Sequence, residues 1–527
     1  MKKNHCRSRG ARSSHPLVTS AFPALVTFFI SAISISSCSP AGNAGEFDKL
    51  YEGLPFEMPV IQCPSIPSRE VSLADFGGNG DGITLNTEAF ANAVDFLSSK
   101  GGGHLNVPAG IYLTGPITLK SGIDLHLDAN AVILFDTNRD LYPIIETVFE
   151  GLDTRRCESP INAEGAKNIS ITGAGVIDGN GDAWRMVKKS KVTDPQWKNL
   201  LAMGGVVEDD VWYPDEGFIK GQNMSDMNVP PKNLDEETWE EIKSFLRPVM
   251  ISFRNCENVL LEGCTYQNSP CWNIHPLMCK NVIIKGITVR NPWYSQNGDG
   301  IDIDSCENVI MVDSNLDCGD DGICIKSGKD EDGRARGIPC KNLIIDNCTV
   351  YHGHGGFTVG SEMSGGVENI KVSNGRFLGT DVGLRFKSKR GRGGVVKNIF
   401  IENIYMKDIV AEALLFDLYY GGKSAVEVME EGGEPVEEKA MPVDETTPCF
   451  KDIFISQVVC SGAARAMYFN GIPEMPVINV NVTDCTISSR KGVQICWSEN
   501  VTLKNTVIMP QYGEPVTALF SKNVNIE

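Results

Sequence analysis

Asn281-Val282-Ile283-Ile284 and Asn342-Leu343-Ile344-Ile345 are two copies of one short unit, an asparagine followed by an apolar run. The unit opens at Asn168, Asn258, Asn281, Asn308, Asn342, Asn369, Asn398, Asp452, Asn479, Asn500 and Asn523. From Asn258 onward the steps are 23, 27, 34, 27, 29, 54, 27, 21 and 23 residues, the 54 enclosing an acidic insertion. Each run is four to six residues long with period two, which reads as strand and not as helix. One such unit cannot bury its own inner face, so successive units must stack. The reading is an all-β, right-handed parallel β-helix whose coils pair about 4.8 Å apart. A leucine-rich repeat is the competing solenoid, but no Leu-x-x-Leu-x-Leu pattern recurs.

The cysteines keep the same grid. Cys256, Cys279, Cys306 and Cys340 stand two residues before a repeat asparagine, and Cys264, Cys348 and Cys485 stand six after one. Ile287 and Ile404 fill that second position elsewhere, which marks a buried apolar column in which free cysteine packs as a small hydrophobe. No Cys-x-x-Cys pair occurs among the 17 cysteines, so neither a zinc cluster nor a disulfide framework is expected. The repeat asparagines read as stacked turn residues whose amides bond from coil to coil.

The stack needs an N-terminal cap. Residues 86–100 supply a short helix with Asn86 as cap and Phe90, Ala93, Val94 and Leu97 on one face, ended by Gly101-Gly102-Gly103. Strands are expected at His104–Val107, Ile111–Thr114 and Ile123–Leu127. Two long inserts interrupt the coils and read as lids or disordered loops. Residues 184–246 carry Trp184, Trp197, Trp212 and Trp239, whose rings either stack on sugars or anchor the loop. Residues 421–448 are acidic.

The first residues are basic (Lys2, Lys3, Arg7, Arg9, Arg12), and an apolar run from about Leu17 to Ile35 follows. This is the pattern of a signal peptide over residues 1–37, and Ile35-Ser36-Ser37-Cys38 resembles a bacterial lipobox with Cys38 as lipid attachment. A monomeric cell-envelope lipoprotein on the outer membrane or periplasmic face is expected, held to the membrane only by that anchor. Residues 38–66 read as a linker and 67–527 as the β-helix domain. Losing residues 1–37 takes the formal charge from −19 to −24, which argues against nucleic acid as a partner.

Chemistry concentrates between Asn297 and Gly328. Asn297-Gly298-Asp299-Gly300 is followed by Gly319-Asp320-Asp321-Gly322, so three carboxylates stand in glycine-rich turns. Turn chemistry alone would favour Asp and Gly, but an acid–base cluster would need the same residues. Asp299 lies 18 residues after Asn281, Asp320 and Asp321 lie 12 and 13 after Asn308, and His354 lies 12 after Asn342. Arg385 and Lys387 lie 16 and 18 after Asn369 and flank Phe386, so both face outward while Phe386 faces in. Four successive coils thus place polar groups on one side, as a groove would.

In order, Asn297-Gly298-Asp299, Gly319-Asp320-Asp321, Gly353-His354-Gly355 and Arg385-Phe386-Lys387 resemble the four motifs of the polygalacturonases of glycoside hydrolase family 28, with Gly298 where the family has Thr. The resemblance spans about residues 67–527. It implies inverting hydrolysis of α-1,4-galacturonosidic bonds of pectin without metal or cofactor. Asp320 would be the general acid, Asp299 and Asp321 would hold the water, and His354 would tune the acid's proton. Arg385, Lys387 and Asn297 would bind substrate, and Tyr419 or Tyr420 would supply the family's later tyrosine. An acid and base about 6.5–9.5 Å apart are expected for inversion. Exo action is favoured if the inserts close the groove. The alternatives are an endo-polygalacturonase, a rhamnogalacturonan or xylogalacturonan hydrolase, a calcium-dependent pectate lyase, and a non-catalytic glycan-binding β-helix.

Overall fold

The repeat asparagines carry the coils. In the computed structural model, which describes residues 45–432 and 438–527, the repeat positions from Asn168 to Asn523 all sit in the left-handed region, with φ between 52° and 61°. Asparagine tolerates that conformation better than most residues because its short side chain bonds locally. Here its amide also reaches the next coil. Asn258 Nδ2 donates to Asn168 Oδ1 at 3.1 Å, Asn281 to Asn258 at 3.0 Å, and Asn308 to Asn281 at 3.1 Å. The chain of amides continues through Asn342, Asn369 and Asn398 and resumes between Asn479 and Asp452.

The coils form a parallel β-helix. Twelve strands make one parallel face, among them Ile274–Leu277, Ile301–Asp304, Ile323–Lys326, Gly355–Gly360, Val382–Lys387, Glu412–Asp417, Arg465–Asn470 and Lys491–Cys496. The remaining coil strands, such as Lys280–Lys285 and Thr288–Arg290, join a 25-stranded assembly on the other sides. Apolar side chains fill the interior, where Phe386 stacks on Phe416 and Phe416 on Phe469, each pair 4.8 Å between centroids. The cysteine columns are buried as expected, and Cys279 and Cys306 each place their thiol 3.2 Å from a carbonyl of the preceding coil.

The cap helix spans Thr87–Ser99 and buries Phe90, Ala93, Val94 and Leu97. Asn86 stands at its start but does not cap it. Its amide is drawn inward, accepting from Asn79 N and donating to the carbonyls of Thr84 and Leu113, so it ties the helix to neighbouring strands. The stretch read as a linker also differs from expectation where it is described: Ile61 and Ile66 are buried, Phe56 lies 6.2 Å from Phe400, and Glu46 pairs with Lys285. It is a strap on the solenoid because its few apolar residues find partners there. The targeting segment 1–37 and Cys38 lie outside the described residues. Among the described residues no helix is long and apolar enough to cross a membrane.

The insert 184–246 is neither a bare lid nor disordered. It folds into a three-stranded antiparallel sheet and the helices Asp194–Ala202, Glu216–Met224 and Glu236–Glu241. Trp184 and Trp239 are buried in a small core with Tyr142, Tyr213, Phe218 and Phe245, and Trp212 in another with Val187 and Leu200, so these rings anchor the insert. The insert 421–448 includes a short helix, Ala425–Glu430, and packs Val426 on Tyr468.

Candidate active site

The twelve-stranded face gathers most of the expected residues through its register. Ile301 pairs with Ile323 and Ile323 with Phe357, so Asp299, Asp321 and Gly355 fall on one transverse row. Asp320 is one residue off that row, and Asp299 therefore opposes Asp321. Asp299 and Asp321 are buried, and Asp320 is partly open. The three carboxylates each bring an oxygen within 4.8 Å of the others. That is closer than the separation expected of an inverting pair, because all three turn into one corner between adjacent coils.

Asp321 is held from three sides. Its Oδ2 lies 2.8 Å from Lys387 Nζ, and its Oδ1 accepts from Arg385 Nη1 and from Thr358 Oγ1, each at 3.0 Å. Burial opposes its charge, but Lys387 and then Arg385 outweigh that and hold the carboxyl well below the usual carboxylate range. Asp299 has the reverse balance. Burial, then the charges of Asp302 and Asp320, push it well above that range, and its Oδ1 has no hydrogen-bond partner. Asp320 Oδ1 contacts His354 Nδ1 at 3.0 Å, and this contact raises the imidazole above its ordinary value. A divalent cation among these carboxylates would meet Lys387 and Arg385 already bound to Asp321, a donor set that fits such an ion poorly.

Arg385 and Lys387 do face outward around Phe386, and their ammonium and guanidinium groups close on Asp321. The ring of Tyr420 lies 4.9 Å from Lys387 Nζ and 5.9 Å from the Arg385 guanidinium, so Tyr420 and not Tyr419 joins this site. Tyr419 sits beneath Arg390 instead. Asn297, expected to bind substrate, accepts from Arg247 Nη2 at 2.8 Å and so fixes the turn that carries Asp299. Gly298 has a local cause. A Cβ there would stand 1.9 Å from Ser295 Oγ, so the hydroxyl of Ser295 occupies the space a threonine would need.

Sequence reasoning missed Asp302, Lys326 and Glu362. Asp302 is fully buried and faces the same cluster, 3.6 Å from Lys326 Nζ, and Lys326 bonds Glu362 Oε2 at 2.8 Å. The alternation Ile301-Asp302-Ile303-Asp304 was the available signal, since outward acids on a strand beside Asp299 must share its face.

What buries them was also missed. The hairpin of Ile144–Phe149 and Leu152–Cys157 lies over this face. Phe149 packs on Trp272 with centroids 4.7 Å apart, and the Arg156 guanidinium covers Phe149 at 3.9 Å. At the tip, Gly151 O accepts from Lys329 N at 3.2 Å and from Arg336 Nη2 at 2.6 Å. Arg156 also donates to Arg247 O at 2.9 Å, and Arg247 holds Asn297, so the hairpin is tied to the turn that carries Asp299. Beyond this wall a cavity of about 570 Å³ lies over the earlier coils, lined by Asn162, Ser252 and Arg254 among others.

The sequence signature of Glycosyl hydrolases family 28 matches residues 234–507. A "Probable polygalacturonase" of Vitis vinifera is 30% identical over 97% of this chain and 93% of its own length. An "Endo-polygalacturonase" of Pectobacterium carotovorum subsp. carotovorum is 27% identical over 75% of this chain and 81% of its own. Among solved structures, the hyperthermoactive exopolygalacturonase of Thermotoga maritima aligns with a TM-score of 0.67 at 30% identity, covering 85% of this chain and 94% of that one.

Proposed function

The chain belongs to glycoside hydrolase family 28, a hydrolase of galacturonide bonds, and from that premise we propose that it removes single galacturonate units from the non-reducing end of homogalacturonan or its oligomers. The wall of Phe149 and Trp272 carries this reading. Arg385 and Lys387, on the leaving-group side by family resemblance, lie toward the later coils. Trp272 of the wall stands on the opposite side, on the coil just before Asp299. The reading places one sugar ring on the wall side of that corner, a ring being comparable in length to about one coil's rise.

Asp320 donates a proton to the leaving oxygen, with His354 sharing that proton. Asp299 and Asp321 together hold the attacking water and take its proton, Asp321 kept ionised by its two cations and Asp299 offering its unpartnered oxygen. The short carboxylate spacing by itself would suit a covalent route. Both oxygens of Asp321 are engaged by cations, however, which makes it a poor nucleophile, so water attacks directly and the anomeric configuration inverts.

Product analysis tests the mode of action. Galacturonate alone from the start of digestion is the expected result, and mixed oligomers would make the enzyme endo-acting. Loss of activity with a chelator, or unsaturated product ends, would instead favour calcium-dependent elimination. If Asp320→Asn binds oligogalacturonate as the wild type does while the wild type itself releases no reducing sugar, the chain is a binding protein.

Export as a Cys38 lipoprotein rests on the N-terminal sequence. Incorporation of labelled fatty acid that Cys38→Ala abolishes is its test, and size-exclusion chromatography tests the monomer.

A further inference from the structure

Beside the three turn carboxylates lies a second set of charges that alternation points outward and the hairpin seals from solvent. Lys326, Asp302 and Glu362 are all buried. Lys326 stands in register with Asp304 on the preceding coil. Asp304 is already served by Ser305 Oγ at 2.9 Å, by the Gly328 N–H at 3.2 Å and by His275 Nε2 at 3.4 Å. The ammonium turns instead to Glu362 Oε2 at 2.8 Å and to Asp302 Oδ1 at 3.6 Å, and it lies 4.7 Å from the centroid of the Trp272 ring. Ser361 Oγ fixes the other Glu362 oxygen at 3.0 Å. A buried ion pair is often no more stabilising than apolar packing of the same volume, so this one calls for another cause.

We propose that Lys326 is a positioning residue for the hydrolysis: held by Glu362 and the Trp272 ring, its ammonium is the positive charge against which the water-holding carboxylates ionise. This rests on the roles proposed above for Asp299 and Asp321 and adds a residue that acts through them. Burial, then Asp302 and Asp320, raise the Asp299 carboxyl, and Lys326 pulls the other way. On Asp321 it adds, against burial, to Lys387 and Arg385. Burial opposes the charge of Lys326 itself, but acidic side chains, Cys324 and Glu362 foremost, hold the ammonium above its ordinary value. Burial opposes the charge of Glu362 as well, and Lys326, Lys387 and Arg392 outweigh it. The pair is thus faced by Asp302 and Asp304 from the preceding strand, with His275 bound to Asp304. Asp299, Asp320 and Asp321 act on the cluster from the turns, and Lys387 and Arg392 from the coil beyond. Trp272 also carries Phe149, so this charge and the wall share one anchor.

The pH dependence of kcat/KM on galacturonate oligomers tests the assignment. A carboxyl that loses a nearby cation keeps its proton to higher pH. Lys326→Met should therefore move the acidic limb up by about one pH unit. Glu362→Gln, which takes a negative charge from the cluster, should move it down. Lys326→Arg should return the limb toward its wild-type position. A packing role would lower activity at every pH and leave the limb in place. The position of the limb does not depend on how much of a preparation is folded, and if Lys326→Met does not fold at all, the downward shift in Glu362→Gln decides alone. Limbs that stay put, or that move the same way in both variants, overturn the proposal. If they shift as stated while Asp299→Asn keeps the wild-type rate, the assignment of the water-holding carboxylates fails and Lys326 still sets the ionisation of the cluster. Should the wild type release no sugar, titration of isotope-labelled aspartate carboxyls reads the same two shifts without turnover.

Discussion

Asp299 and Asp321 face each other from the same position in successive coils, and their surroundings shift their carboxyls in opposite directions. Two cations hold Asp321 ionised, whereas burial and neighbouring acids push the Asp299 carboxyl up. Two identical side chains thus acquire opposite proton affinities because the cations stand on one flank only.

Asp321→Asn follows from that asymmetry. It strands Lys387 and Arg385 as buried cations without their counter-ion, a change that costs about 3–5 kcal/mol. It also removes one of the two carboxylates proposed to hold the water, worth about 10²–10⁴-fold in rate. Reducing-sugar release and a urea titration on one preparation check both, and a variant of full stability that lost only activity would contradict the ion-pair account.

His354 sets the alkaline side of the pH profile. Its contact with Asp320 raises the imidazole above about 6.5, so the proton shared by the pair persists above that pH and is lost as pH climbs through the raised value. Any stability the pair contributes is lost in the same direction. The alkaline limb of kcat/KM should accordingly lie above the ordinary histidine value. Asp381→Asn, which removes a carboxylate 3.9 Å from Nε2, should move that limb downward. No movement would remove Asp381 and the imidazole from the titration.

The amide chain predicts a pair of substitutions. Asn342→Ala loses the bonds to Asn308 and Asn369 and forces a Cβ residue without a polar side chain into φ 61°. It should cost about 1–2 kcal/mol for the backbone and about 1 kcal/mol more per lost bond. Asn342→Gly should recover the backbone part alone. Denaturant midpoints in the order wild type, Gly, Ala are expected.

Gly151 controls the wall. A Cβ there would stand 2.5 Å from Lys329 N, so Gly151→Val must lift the hairpin tip from the loop it clamps. The initial products should shift from monomer alone toward mixed oligomers as the groove joins the cavity beyond. An unchanged monomer profile in a folded variant would place the exo determinant elsewhere.

The fold was legible because its cause is local and repeated. An asparagine every coil announces both the left-handed turn and the bond to its neighbour, and the buried cysteines follow the same grid. The candidate site was legible where it sits in turns, as at Asp299, Asp320, Asp321 and His354, which the fold brings together. Asp302 and Lys326 lie on strands, where alternation looks like an ordinary solvent-facing edge until one knows that a hairpin covers it. The wall was invisible for a different reason. Phe149 meets Trp272, and Gly151 meets Lys329, across long stretches of chain that share no pattern. The tryptophans of the 184–246 insert were ambiguous because a ring that anchors and a ring that stacks on sugar look alike in sequence.

Asn168 and Asn258 are 90 residues apart, and their side chains still bond at 3.1 Å, as closely as neighbours 23 residues apart do. The whole folded insert leaves and re-enters the solenoid between them without disturbing the rung. The solenoid is then a chassis, and the insert is a cassette it carries without strain on the rung. Such a chain can be re-engineered, by nature or by hand, through the exchange of everything between two asparagines.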